Sequence, residues 1–310
     1  MVARNVWTLD IEYWTFIRSN FYFKIIFMLE EFDFSLLKKM RFAFFLMFAI
    51  HTSGQPIIGL ELYTFRAQFK TDVPGTLQKI SKMGFKEIEG GGTYGLPVDQ
   101  YKKMLNQNHL KLIAWGADFD LLSSDPQAVA GQAKQFGAKY VVCFWIPHTG
   151  TDFTIDDVTK AIDVFNTAGK VLKENGLSLC YHPHGYEFRP YNNETLFDHL
   201  IKNLNPRYAN FEMDVYWIKH PGQDPVALLK KYPNRFPLMH LKDRKPGTPG
   251  NQNGEADVES NVVLGSGDVG IAAIMKVAKK YGVKHFFIED ESSISEQQVP
   301  KSLAYLKKLK

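Results

Sequence analysis

Cysteine is nearly absent: Cys143 and Cys180 are the two in 310 residues, with no CxxC pair and no zinc-ribbon spacing. That excludes a scaffold built on disulfides and a zinc site built on thiolates. Each lies in an apolar, strand-like run and reads as a small buried hydrophobe, with a bridge between them left open for an exported chain. Charge of one sign is scarce as well. The 37 Lys and Arg stand against 33 Asp and Glu, a balance of +4 with the positives scattered. No nucleic-acid groove and no nucleic-acid partner are expected from that pattern. Long apolar runs are missing: "FAFFLMFAI" at 42–50 has nine residues, and no later segment reaches the length of a membrane span. No stable membrane anchor is therefore expected.

Residues 1–39 do not match the rest of the chain, being dense in aromatics and poor in turn residues. Lys38, Lys39 and Arg41 then form a basic flank before the nine-residue apolar run, and the small residues Ser53 and Gly54 precede Gln55. That is the layout of a secretory signal peptide over 40–54, with Met40 as the sensible start and 1–39 as an upstream extension without a fold of its own. Such a leader implies a periplasmic or secreted protein. The alternative is an N-terminal helical segment packed on the domain and a cytoplasmic protein.

From Ile57 the pattern is regular. "IIGLELYTF" reads as a strand over 57–65, and "DVPGTLQKISKMG" as a helix with Asp72 as N-cap, Pro74 in the first turn and Gly84 as the stop. The alternation continues through "FKEIEGGG", "KLIAWGADF", "KYVVCFW", "LSLCYHPH", "YANFEMD", "FPLMHLKD" and "KHFFIEDE", each separated from the next by a helical stretch. Eight strands alternating with eight helices over about 250 residues predict a single-domain (β/α)8 TIM barrel across 55–310. The rival, a doubly wound open sheet, usually carries a glycine-rich turn after its first strand, and "LYTFRAQF" has none.

In such a barrel alternate strand residues point inward, and active sites form at the C-terminal strand ends. That phase turns inward Glu61 and Tyr63, Glu87 and Glu89, Trp115, Cys143 and Trp145, then Cys180, His182 and His184. It continues with Glu212 and Asp214, His240 and Lys242, and Glu289 and Glu291. Packing alone would place Val, Ile and Leu there. His182, Asp214, His240 and Glu289 come one each from strands five to eight, and neighbouring strands lie about 5 Å apart. Their imidazole nitrogens and carboxylate oxygens suit a divalent metal of the Mn, Zn, Co, Fe or Mg kind. A metal-free network of histidines and carboxylates is the alternative.

Seven stretches together, "GLELYTF", "GFKEIEGGGTYG", "YHPHGYEF", "MDVYW", "HLKD", "LGSGDVG" and "FFIEDE", make residues 57–310 resemble the sugar phosphate isomerase/epimerase family. These are the xylose isomerase-like barrels also grouped with endonuclease IV. The resemblance implies a metal held by Glu, Asp, His and Glu from strands five to eight. Asp214, His240 and Glu289 fall on three of those positions, while His182 stands where many members have Glu. Family epimerases use two glutamates on opposite faces of the substrate, so a symmetric carboxylate pair is not implied for this chain.

The expected chemistry is proton abstraction beside a carbonyl, with an enediolate stabilised by the metal. Glu289, His182, His184 and Lys242 are the candidate acid–base groups. Trp115, Trp145 and Trp217 are candidate sugar-stacking surfaces. Glu89 is a candidate for holding hydroxyls or pairing with Lys242, and Glu187 for orienting a histidine beside the substrate. The expected partner is a small-molecule sugar or glycoside, with a homo-oligomer left open. A sugar isomerase or epimerase is the leading expectation. Its alternatives are a lyase or hydrolase of 3-keto-glycosides using the same metal site, and a non-catalytic sugar-binding barrel. "LGSGDVG" carries a weak hint of phosphate binding through glycine amides.

Overall fold

The computed structural model describes residues 56–309, so the expected extension at 1–39 and signal peptide at 40–54 lie outside the described residues. Eight parallel strands close into a barrel. They are β1 (Ile58–Glu61), β2 (Glu87–Gly90), β3 (Lys111–Ala117) and β4 (Tyr140–Cys143), then β5 (Ser178–Tyr181), β6 (Ala209–Asp214), β7 (Leu238–Leu241) and β8 (His285–Ile288). The order around the ring is β1-β8-β7-β6-β5-β4-β3-β2, which is the TIM barrel that the alternation predicts. Among the described residues no helix is long and apolar enough to cross a membrane.

The helices begin and end where the local chemistry says they should. In Val73–Met83 the Asp72 side chain accepts from Gly75 N, Pro74 occupies the first turn, and Gly84 closes the helix at φ +100°. Its buried Val73, Thr76, Leu77 and Ile80 form the stripe that meets the strands. Helix Ile155–Glu174 starts on a reciprocal cap between Thr154 and Asp157.

Strand alternation divides the core in two. Ile113, Ala114, Tyr140, Val142, Cys180, Leu238 and Phe287 fill the barrel interior with Phe144 packed on them. Their neighbours Leu60, Ile88, Val141, Leu179, Met213, Phe286 and Ile288 point outward under the helices. Each large side chain buried this way contributes roughly 1.5–3 kcal/mol. Above the apolar interior layer, toward the C-terminal strand ends, the inward positions become polar.

Four expectations need correction. The first strand stops at Glu61 rather than running to 65, because the Glu61 carboxylate accepts from Tyr63 N and turns the chain into a 3-10 helix over Leu62–Phe65. Strand three has the opposite phase at its end. The pairing of β2 with β3 slips between Ile88 and Glu89, so Ala114 and not Ile113 lies beside Glu89. Trp115 therefore faces outward, stacked on Phe136 at 5.0 Å with its Nε1 donating to Gln132. The slip carries into β4, where Tyr140 pairs with Ala114 and Cys143 is turned out of the barrel. Cys143 and Cys180 are buried and unbridged, and burial pushes the Cys143 thiol up to about 12.

The fourth correction concerns the glycine stretch after β7. Asp243 Oδ2 accepts from Gly265 N at 2.8 Å and Gly267 N at 3.0 Å, and Oδ1 accepts from Val269 N at 3.2 Å. The amides that hinted at phosphate are already filled by an internal carboxylate. The long excursion between them is ordered by an antiparallel pair, Asp243–Arg244 with Asn261–Val262.

Candidate active site at the barrel mouth

A cavity of about 760 Å³ opens at the C-terminal ends of the strands, with His182, His184, Trp217, Lys242, Glu289 and Trp145 in its wall. Each chemical group is placed by a strand end. His182 follows directly after β5 and stays in the barrel through His182 N, which donates to Cys143 O at 3.0 Å. Asp214 ends β6, and its Oδ1 accepts from Tyr216 N at 2.7 Å and Trp217 N at 3.1 Å, capping the helix that carries Trp217. His240 lies within β7, Lys242 just after it, and Glu289 just after β8.

Asp214, His240 and Glu289 offer ligand atoms that all lie within 4.8 Å of one another. His182 joins them through Nε2, which is 3.8 Å from Asp214 Oδ2. His240 Nδ1 is 3.2 Å from Glu289 Oε2. Asp214 Oδ2 is buried and has no hydrogen-bond partner. A desolvated carboxylate oxygen without a donor costs several kcal/mol, and a cation seated there would offset that cost. The donor set of two imidazoles and two carboxylates thus fits a divalent metal of the Mn, Zn, Co, Fe or Mg class.

The electrostatics follow from burial. Burial lifts Asp214 to about 7, against the pull of the Lys242 ammonium. It pushes His182 well below its ordinary value, helped by the neighbouring His240. It would lower His240 too, but the Glu212 and Glu89 carboxylates more than reverse this and hold His240 well above. The two rings are 4.7 Å apart, so a single positive charge settles on the one with more carboxylates. For Glu289, burial is outweighed by Lys242 and by the hydrogen bond from His240, and its carboxyl stays well below the usual range. Lys242 is held above its ordinary value, despite burial, by Glu289 at 3.3 Å and by contact with Glu291. His184 is pushed down to about 4 by burial and then by Lys242, and its Nδ1 is shielded from solvent with no partner.

The remaining sequence candidates divide. Trp217 and Trp145 are in the cavity wall; Trp217 lies under the Lys242 ammonium at 5.7 Å, and Trp145, 45% exposed, stands at the rim against His148. Trp115 is not at the site, because the strand slip turns it outward. Glu89 does not pair with Lys242: it is fully buried, with Oε2 2.7 Å from His240 Nε2. Glu187 is not beside the substrate space either. It lies behind His184, accepting from His184 N at 3.1 Å, Gly185 N at 2.8 Å and the Tyr181 hydroxyl. Two further residues belong with the sequence candidates. Glu61 is level with Glu89 in the strand register and Glu212 reaches both His182 and His240, and both are readable as inward by alternation. What hides them is the assumption that one polar residue per strand does the chemistry.

Comparisons with known proteins agree with this architecture. The sequence profile of the xylose isomerase-like TIM barrel family matches residues 77–309. An inosose dehydratase of Clostridium beijerinckii is 26% identical over 190 residues, which is 54% of this chain and 62% of that protein. The chain thus spans less than two thirds of that curated relative. A sugar phosphate isomerase/epimerase from Parabacteroides distasonis ATCC 8503 superposes with a TM-score of 0.68 at 25% identity, covering 82% of this chain and 94% of the other. The IolI protein, solved with a binding zinc atom, gives a TM-score of 0.63 at 14% identity over 81% of this chain and 95% of its own, a likeness of fold.

Proposed function

The chain belongs to the xylose isomerase-like TIM barrel family, and from that premise we propose that it is a divalent-cation-dependent lyase of keto-sugars or 3-keto-glycosides. The reaction removes the proton on the carbon beside the carbonyl and expels the oxygen substituent one carbon further on. His182, Asp214, His240 and Glu289 would hold the cation, which when bound supplies Lewis acidity to the substrate carbonyl. His184 is the proton acceptor: it is neutral at pH 7, and the residue is part of the cavity wall. As imidazolium it is a strong acid in this buried setting and returns the same proton to the departing oxygen. Lys242 remains charged between Glu289 and Glu291 and stabilises negative charge on the carbonyl side. Trp217 and Trp145 supply flat apolar surface for a ring face.

The observation that carries elimination over inversion is the state of His182. Family epimerases have a second glutamate at this position, free to exchange a proton. Here the residue is an imidazole whose Nδ1 is engaged with Glu212 at 3.1 Å. A one-sided acid–base group suits loss of a substituent better than transfer between two faces. The likeness to an inosose dehydratase points the same way. A free rather than phosphorylated substrate is favoured because Asp243 fills the glycine amides. Isomerisation or epimerisation of a keto-sugar is the second reading, favoured by the likeness to the Parabacteroides protein along 94% of its length.

The test is turnover in deuterium oxide by the purified full chain, supplied with Mn²⁺, Co²⁺ or Zn²⁺ and a panel of keto-sugars and 3-keto-glycosides. The expected product lacks the substituent and is an unsaturated ketone. A product isomeric with its substrate and carrying solvent deuterium refutes the lyase in favour of the second reading.

A further inference from the structure

Two more carboxylates, Glu89 and Glu212, stand against the histidines that would hold the ion, and both are fully buried. Buried carboxylates usually face Lys or Arg. Glu89 and Glu212 face two imidazoles instead. Glu212 Oε2 is 3.1 Å from His182 Nδ1 and 3.2 Å from His240 Nε2. Glu89 Oε2 is 2.7 Å from His240 Nε2. When a cation takes one ring nitrogen, the nitrogen on the opposite edge keeps its hydrogen and needs an acceptor there. In His182 that is Nδ1, and in His240 it is Nε2. The nitrogens that a cation would take are His182 Nε2, 3.8 Å from Asp214 Oδ2, and His240 Nδ1, which without an ion is hydrogen-bonded to Glu289 Oε2 at 3.2 Å. Opposite atoms of the two rings turn toward one group of oxygens.

We propose that Glu89 and Glu212 are positioning residues that lock His182 and His240 in opposite tautomers. A divalent cation is then met by Nε2 of one ring and Nδ1 of the other. The geometry needs such a lock. The two histidines come from β5 and β7, on either side of β6, and their ring planes are 65° apart. A half-turn of either ring would present a carbon or a protonated nitrogen to the ion. A buried acceptor on one edge selects a single orientation, because the flipped ring would strand an N–H without a partner. The inference rests on the metal reading under the proposed function and extends it to residues that do not themselves hold the ion.

The test uses the full chain labelled with ¹⁵N-histidine and saturated with Zn²⁺. Long-range proton–nitrogen spectra report the tautomer of each zinc-bound ring, with the two rings assigned from single-site variants. The expected result is one ring bound through Nε2 with Nδ1 protonated and the other the reverse. Both rings bound through the same kind of nitrogen overturn the inference and leave the metal site standing. No zinc-shifted histidine overturns the metal reading as well.

Zn²⁺ affinity by chelator competition supplies an independent readout. Glu89→Leu and Glu212→Leu are expected to weaken binding by about 10- to 100-fold. Glu89→Gln keeps an oxygen that accepts from Nε2–H and stays within about threefold of the parent. An equal loss in the Gln and Leu variants overturns the lock, since charge alone would then explain it. Two zinc ions per chain overturn it too, by making the carboxylates ligands of a second ion.

Discussion

Asp243→Ala should unfasten the loop that walls the barrel mouth. The Asp243 carboxylate accepts four main-chain amides: Gly265 N at 2.8 Å, Gly267 N at 3.0 Å, Val269 N at 3.2 Å and Arg244 N at 2.9 Å. Gly265 is exposed and Gly267 half-buried, so those two amides recover bonds to water. Val269 and Arg244 are only 6% and 7% exposed, so theirs do not. Two buried, unpaired N–H groups at about 1–3 kcal/mol each, lost from a charged acceptor, come to about 4 kcal/mol. For a chain of this size that is a fall in Tm of about 8–16 °C. Asp243→Asn keeps one oxygen but sets an NH2 against the other amide pair, so it recovers at most half of the loss.

The assay is thermal unfolding of the full chain with and without formate, using chloride at equal ionic strength as control. Formate is a carboxylate small enough for the gap, and it should raise the Tm of Asp243→Ala several degrees more than that of the parent. A variant that melts within about 2 °C of the parent refutes the reckoning of amides. Equal formate effects on both proteins refute the idea that an anion-shaped space was vacated.

Asp214→Asn and His240→Ala should each strip the metal and lower turnover at least about 100-fold, since several kcal/mol of charge stabilisation go with the ion. Metal content after dialysis checks this, and stoichiometric metal in either variant counts against the assigned ligands. Glu187 makes stability depend on pH. Burial raises its carboxyl from the ordinary 4.5 to about 7 even though Tyr181 and nearby amides donate to it. The folded state therefore binds the extra proton between those values. Stability from this group is full below pH 4.5, falls by about 3 kcal/mol as pH rises through 7, and is flat above. Asp214 is lifted to about 7 as well, so in urea unfolding of the metal-free protein at pH 5 and pH 8, Glu187→Gln should lessen the parent's fall by about 3 kcal/mol rather than abolish it; a fall unchanged in the variant rules the assignment out. Trp145→Ala should raise KM about tenfold through lost ring stacking, whereas Trp115→Phe, which keeps its contact with Phe136, should leave KM within about twofold. The opposite ranking in steady-state kinetics would mean that the strand-three phase is assigned wrongly.

Much of the barrel is readable because its signals are local. Asp72, Pro74 and Gly84 bound a helix that the structure begins and ends at the same residues. The polar strand ends are readable because a burial-driven interior has no use for His182, Asp214, His240 and Glu289. What local reading misses depends on pairing between distant segments. Leu62–Phe65 look like strand residues until the Glu61 carboxylate takes Tyr63 N and ends the strand. The glycine turn at 265–269 looks like an anion site until Asp243, more than twenty residues earlier, fills it. Glu187 looks like part of the site until its acceptors are seen to be spent on the backbone behind His184.

Trp115 shows why a small pairing irregularity has a large consequence. Side chains alternate with a period of two, so one extra residue in β3 exchanges the faces of everything after it. The exchange puts Trp115 under a helix and leaves Ala114 beside Glu89. A cue to this lies in the glycines. A side chain at Gly91 would come within 3.0 Å of the Gly116 backbone, and one at Gly116 within 2.9 Å of Phe144. Glycines facing each other at neighbouring strand ends mark backbones that approach too closely for ordinary pleating. With Trp115 turned away, this side of the mouth is lined by Gly91 and Gly116 rather than by an indole. That removes a bulky ring from the wall opposite Lys242 and, among the described residues, leaves Trp217 and Trp145 as the two tryptophans able to meet a substrate. The aromatic contacts then sit beside His184, on the same side as the proposed proton carrier. A substrate ring held there presents one face to the imidazole, which is the arrangement that loss of a substituent requires and exchange between two faces does not.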